Sequence, residues 1–247
     1  QRIKNAVDLY MYKNNLEERV AEQTSVISEQ YNLLKHQADQ LAKSNVSIIE
    51  ILGTIVEYRN LESGEHIQRV KSYTRILGEQ LMEDYPEYNL TSKQLNVIVS
   101  ASALHDVGKI AIPDSILLKP GRLTKEEFEY MKEHTTKGCE IINNIRGVWS
   151  EEYARASYEI CRHHHERYDG RGYPDGLLGE NIPISAQLVA VADVYDALVN
   201  ERVYKSAFSA DKAFNMIING ECGTFSPKLM DCFTKCRDRF ESLAGEQ

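Results

Sequence analysis

The stretch ICRHHHERYDGRGYPDG, residues 160–176, sets three consecutive histidines and a glutamate ahead of Asp-Gly and Gly-Tyr-Pro turns. Six of the seven histidines lie beyond residue 50: His66, His105, His134, His163, His164 and His165. Glu62 and His66 are four residues apart and share one face of a helix. His105 and Asp106 are adjacent, with Lys109 four residues after the histidine. Asp193 stands in VADVYDAL, an otherwise apolar setting, with Asp196 three residues on. A lone histidine or aspartate on a helix is ordinarily a hydrogen-bonded residue. Here that reading must hold at every helix at once, although each of these residues sits near an inward stripe. Burying imidazoles and carboxylates without partners is costly at each site. A shared cation neutralises the carboxylates and uses the imidazole lone pairs together. Such a donor set suits iron, manganese or zinc rather than calcium.

The His105-Asp106 pair adds a second feature. Neighbouring side chains on a helix diverge, so each can reach a different ion, or the two carboxylate oxygens can bridge two ions. Two metals roughly 3.5–4 Å apart can hold a hydroxide between them, and metal binding brings the pKa of water from ~15.7 towards ~7. That chemistry suits cleavage of a phosphodiester. Competing chemistries lack their signatures. The chain has no Gly-x-Ser-x-Gly elbow and no phosphate-binding Gly-x4-Gly-Lys-Ser/Thr loop, and no cysteine has the flanks of a protease nucleophile.

The elements that must position these residues read as helices throughout. One helical stripe runs through Ile67, Val70, Tyr73, Leu77 and Leu81. A second runs through Leu95, Ile98 and Ser102 to His105. Thr124 and Glu127 form a capping box for a third, which His134 ends. Ser150 caps a fourth, with Tyr153, Ser157, Ile160 and His164 on its inner stripe. Ser185 caps a fifth, carrying Val189, Asp193 and Asp196. No regular period-2 alternation argues for a strand. Ahead of them, Ile27, Tyr31, Leu34, Ala38, Leu41, Ile48 and Leu52 recur at 3-4 spacing, interrupted at Asn45. That heptad pattern predicts a parallel two-chain coiled coil, a homodimer through residues 13–52. A single helix folded on the body is the alternative. The expected organisation is the tail of an upstream domain over 1–12, a helical coiled-coil linker over 13–50, and a catalytic domain over 51–247.

Composition narrows the partners. The 247 residues carry a formal charge of −8, which argues against binding duplex nucleic acid. An anionic substrate would then need local cations or metal. No apolar run approaches the ~18 residues that span a bilayer. Five cysteines without a framework predict reduced thiols in a cytoplasmic protein.

The motifs ALHDVGKIAIPDSILLKPGRLT, HHERYDGRGYPDG and VADVYDAL occur in order, over about residues 51–235. In this the chain resembles the HD-GYP family of bacterial cyclic di-GMP phosphodiesterases, as in the output domain of a response regulator. The resemblance implies an all-α, HD-type helical bundle holding two or three divalent metal ions, iron or manganese. It implies hydrolysis of cyclic di-GMP to linear pGpG, to GMP, or to both. Some members prefer cyclic GMP-AMP, and some are inactive sensors or scaffolds. It assigns His66, His105, Asp106, His134, His164, His165 and Asp193 as metal ligands, with Asp106 bridging and His163 peripheral. Glu62 falls where members with a third metal carry a glutamate. Lys109 takes the place of a lysine that contacts the scissile phosphate, so Asp106 and Lys109 are the catalytic pair. Arg202 and Lys205 fall where the family grips substrate phosphates. Tyr173 either packs on a guanine or supports its loop, and Asp196 is placed to orient a water or a metal-bound ligand. In the family the Gly-Tyr-Pro loop is also linked to docking diguanylate cyclase (GGDEF) domains, and a receiver domain often precedes the coiled coil. Two departures bear on loop packing: Val203 stands where many members have proline, and GTFSPKLMDCF lacks the histidine and aspartate of the common form. A scaffold that turns over slowly and a mononucleotide phosphohydrolase are the competing readings.

Overall fold

The computed structural model describes residues 2–59, 65–145, 147, 149–200 and 207–245. Glu62, Arg202, Val203 and Lys205 lie outside these. The described residues form eleven α-helices and no strand; the only β pairing among them is a bridge between Asp169 and Leu178. The helices are α1 (Arg2–Arg59), α2 (Glu65–Asp84), α3 (Ser92–Ala101), α4 (Asp114–Leu117), α5 (Lys125–Lys132), α6 (His134–Ile145), α7 (Glu151–His163), α8 (Ile184–Val199), α9 (Ala210–Ile218), α10 (Pro227–Lys235) and α11 (Arg237–Gly245). None of them is long and apolar enough to cross a membrane.

The chain divides into two compact units, residues 1–48 and 49–247. The first is a helix with its apolar residues in solvent: Ile27, Tyr31, Leu34 and Leu41 are 65, 66, 64 and 64% exposed. The second is a helical bundle. The stripe Ile67, Val70, Tyr73, Leu77 and Leu81 is buried along α2, as its 3-4 spacing requires. α8 is buried nearly all round and packs against α2 and α7, so it forms the centre of the bundle. At one end Tyr73, Tyr195, Phe233 and Phe240 close an aromatic cluster, with Tyr73 and Phe240 stacked at 4.8 Å. Each such side chain contributes about 1.5–3 kcal/mol by burial.

The helix ends follow local side-chain chemistry. Thr124 and Glu127 form the expected reciprocal capping box on α5, and Ser150 caps α7 by accepting from the Tyr153 amide. Three boundaries differ from the sequence reading. The helix expected to run through to His105 ends at Ala101, followed by 3-10 turns over Ser102–Leu104 and Val107–Ala111. The Ser102 hydroxyl donates to the Val99 carbonyl and the His105 ring bonds the Ser102 carbonyl; such side-chain competition for carbonyls breaks a helix. His134 begins α6 rather than ending α5. Ser185 does not cap α8: Pro183 precedes the first turn, and the Ser185 hydroxyl donates to Glu159.

Candidate metal centre

Four elements of the bundle bring their polar residues to one buried place. His66 comes from the first turn of α2, His105 and Asp106 from the turn between the two 3-10 segments after α3, and His134 from the start of α6. His164 follows the end of α7. His66, His105, His134 and His164 are 1–2% exposed, and Asp106 is 6%. Close approach of the backbones makes this possible. A Cβ at Gly108 would collide with the His134 carbonyl and the Gly138 amide, so only glycine lets the segment after Asp106 lie against α6.

Each ring is held by one nitrogen. His105 Nδ1 donates to the Ser102 carbonyl at 2.9 Å, His134 Nδ1 to Met131 at 2.8 Å, and His164 Nδ1 to Ile160 at 3.0 Å. A carbonyl only accepts, so in each neutral ring the proton sits on Nδ1 and the Nε2 lone pair faces the pocket. His66 Nδ1 meets Asp196 Oδ2 at 2.7 Å. The Nε2 atoms of all four rings, and Asp106 Oδ1, are buried without a hydrogen-bond partner. Five orphaned polar atoms in one pocket would be costly if nothing were bound among them.

The distances define two adjoining sets. Asp106 Oδ1 is 3.3 Å from His134 Nε2 and 3.7 Å from His164 Nε2. With His165, these residues offer ligand atoms all within 4.8 Å of one another. The other oxygen, Asp106 Oδ2, is 3.2 Å from His105 Nε2. Asp193 Oδ1 lies 3.8 Å from both His66 Nε2 and His105 Nε2. The two oxygens of Asp106 therefore face different sets, which is the arrangement a bridging carboxylate needs. The donor set, imidazole with carboxylate and no thiolate, fits a divalent cation such as iron, manganese or zinc.

The electrostatics agree. Burial lowers the His105 pKa, but Asp106, Asp193 and Glu57 outweigh it and carry it up to about 10. The negative field that keeps a proton on His105 would equally favour a metal cation. Burial takes His134 down to about 4 and His165 well below the ordinary histidine value, so both rings are neutral donors. Burial opposes charge on Asp106, yet Lys109 and His105 hold its pKa well below the usual carboxylate range. Lys109 Nζ lies 2.5 Å from Asp106 Oδ2.

A loop closes the pocket beside His164 and His165. Glu166 accepts from the amides of Asp175, Gly176 and Leu177 at 2.8–3.1 Å, folding the Gly-Tyr-Pro turn back on itself. Gly172 packs so closely on the backbone of Glu166 and Arg167 that a Cβ has no room. Tyr173 stacks on the His165 ring at 4.7 Å, which makes it a support for that ring and its loop.

The expected residues thus fall into three groups. His66, His105, Asp106, His134, His164, His165 and Asp193 are brought together, and Lys109 joins them. Asp196, expected to orient a water or a metal-bound ligand, has a carboxylate that takes His66, Arg69 at 2.6 Å and Asn200 at 3.0 Å. It fixes the orientation of the His66 ring. His163 lies apart, 3.5 Å from Asp175. Glu57 was missed by the sequence reading. It is 1% exposed, and its carboxylate reaches within 4.8 Å of ligand atoms of His66 and His105. The available signal was a carboxylate on the inward stripe of α1, beside Ile49, Gly53 and Val56.

Comparison with known proteins agrees with this picture. A model of the HD domain family matches residues 30–229. A cyclic di-GMP phosphodiesterase of Vibrio cholerae is 42% identical over 204 residues, covering 81% of this chain and 41% of the relative. The cyclic di-GMP phosphodiesterase response regulator RpfG of Xanthomonas campestris is 38% identical over 195 residues, covering 79% of this chain and 49% of the relative. The chain therefore spans less than half the length of these two relatives. A solved cyclic GMP-AMP-specific phosphodiesterase from V. cholerae shares the fold, with TM-score 0.55, 19% identity, and coverage of 80% of this chain and 50% of that one.

Proposed function

As this chain belongs to the HD domain family, and within it to the HD-GYP members, we propose that it is a metal-dependent phosphodiesterase for a cyclic dinucleotide, cyclic di-GMP first. The observation that carries this reading is the convergence of four partnerless imidazole nitrogens and an Asp106 whose two oxygens face different ligand sets. His105, His66 and Asp193 would hold one cation and His134, His164 and His165 another, with Asp106 between them. When bound, such cations supply charge to the phosphate and lower the pKa of a water towards ~7.

The chain's own groups do the rest. The carbonyls of Ser102, Met131 and Ile160 fix three rings in the tautomer that presents Nε2. Asp196 does the same for His66 and is itself anchored by Arg69. Lys109 sets an ammonium at the pocket beside Asp106, where it can accompany a phosphate oxygen. Arg202 and Lys205 are proposed to take the remaining phosphate charge. Tyr173 and Glu166 hold the loop that keeps bulk water from His165.

The test is anaerobic incubation of the protein with cyclic di-GMP and Mn²⁺ or Fe²⁺, with products separated by chromatography. The reading expects linear pGpG or GMP with metal and none after chelation. Cleavage of cyclic GMP-AMP alone would transfer the activity to that substrate. No turnover of either, with metal bound, would identify a scaffold.

The exposed heptad of the first unit supports a parallel homodimer through residues 13–52. Its apolar positions are in solvent, and Asn45 falls at a core position, where a polar residue fixes register.

A further inference from the structure

The sequence offers one glutamate near His66 for an additional metal position, Glu62, by resemblance. The structure draws attention to a different one. We propose that Glu57 is itself a cation ligand, which with His66 and His105 completes the cation position on the α2 side of Asp106. This rests on reading the pocket as a metal centre, though not on which substrate it acts upon.

The argument begins with the helix. Near its C-terminus α1 turns Ile49, Gly53 and Val56 inward, a stripe suited to an apolar core. Glu57 continues that stripe and is 1% exposed, as deep as His105. Its position is specific. One carboxylate oxygen of Glu57 and one nitrogen from each of His66 and His105 lie mutually within 4.8 Å. His66 Nδ1 is engaged by Asp196 and His105 Nδ1 by Ser102, so the nitrogens left to face Glu57 are the two Nε2 atoms. Both are buried without a hydrogen-bond partner. Asp193 approaches the same two atoms at 3.8 Å. Two imidazole lone pairs with the Glu57 carboxylate, and the Asp193 carboxylate close to the same nitrogens, form a donor set for a hard to intermediate divalent cation.

The rings cannot satisfy each other instead. His66 and His105 meet edge to face with centroids 5.4 Å apart, and in their neutral forms two Nε2 lone pairs offer no donor between them. If a proton took the place of the cation, it would serve one ring. A divalent ion serves both rings and the carboxylates together.

The test uses the whole chain, purified without oxygen, stripped of metal and titrated with Mn²⁺. Free Mn²⁺ is followed by electron paramagnetic resonance. Glu57→Gln keeps the volume and hydrogen-bonding capacity of the side chain but removes its charge. The expected result is that one Mn²⁺ equivalent weakens by more than ~100-fold, beyond the ~10–100-fold that loss of an outer partner costs. The equivalent held by Asp106, His134, His164 and His165 stays within about 3-fold. Unchanged affinity and stoichiometry in the variant would overturn the proposal. If the variant does not fold by circular dichroism, anomalous diffraction from Mn²⁺-loaded wild-type crystals decides. A Glu57 oxygen about 2.0–2.3 Å from an Mn²⁺ peak upholds the assignment, and an oxygen beyond about 3 Å from every peak rejects it. A chain that binds both cations yet leaves cyclic dinucleotides intact would fail the proposed activity and leave the assignment of Glu57 standing.

Discussion

His105 shows how the pocket uses a single side chain. Its Nδ1 is tied to the Ser102 carbonyl, while its Nε2 lies 3.2 Å from Asp106 and 3.8 Å from Asp193. The carboxylates outweigh burial and raise its pKa to about 10, so at neutral pH the metal-free ring carries a proton on the atom that a cation would occupy. Cation binding must then release that proton. Calorimetric titration with Mn²⁺ at about pH 7.5, in two buffers of different ionisation enthalpy, should report the release of about one proton or more per chain. Affinity should rise with pH across the neutral range. Equal heats in both buffers would contradict the assignment of His105 as a ligand. Most residues that the structure gathers in the pocket were legible in the sequence because their type and spacing recur at helix after helix. His66, His105, Asp106 and His164 needed only the 3-4 pattern and the family motifs. Glu57 was not legible, because a glutamate in IVEYRN reads as an ordinary helix residue until α1 is seen to turn it inward. The pairing of Asp196 with Arg69 was not legible, because spacing gives its face but not its partners, and Arg69 lies 127 residues away in sequence.

The element that most directly governs the pocket is the segment after Asp106, and α1 holds it. Arg59, the last residue of α1, donates to the carbonyls of Lys109 at 2.9 Å, Ile110 at 2.8 Å and Ile112 at 2.7 Å, and pairs with Asp114 at 2.7 Å. One guanidinium thus gathers the carbonyls that end the 3-10 turn bearing Lys109. Its side chain is 31% exposed, so solvent screens part of the charge. Arg59→Ala should cost about 1–3 kcal/mol, at roughly 2–4 °C of Tm per kcal/mol for a unit of this size. Scanning calorimetry showing no change in Tm would contradict this. The helical class and the Thr124 and Ser150 caps could be read in advance, since capping is local chemistry. The break at Ser102 could not, because it depends on where the Ser102 and His105 side chains turn once the helix is packed.

At the scale of the whole molecule, an exposed heptad helix precedes a bundle built around one polar pocket. Leu41 and Ile48 are 64 and 52% exposed, and a chain that leaves such a row in water gains by pairing it. Removing residues 1–45 should therefore convert a dimer to a monomer by light scattering, with the bundle intact by circular dichroism; an unchanged mass would remove the coiled coil. The candidate centre depends on convergence, since residues between positions 57 and 193 meet in two adjoining sets. The measurement that tests this most directly is elemental analysis of the chain purified without oxygen. The account predicts about two or more iron or manganese ions per chain, lost together when Asp106 is changed to alanine. A chain that holds less than one ion even after anaerobic loading with Fe²⁺ or Mn²⁺ would contradict it.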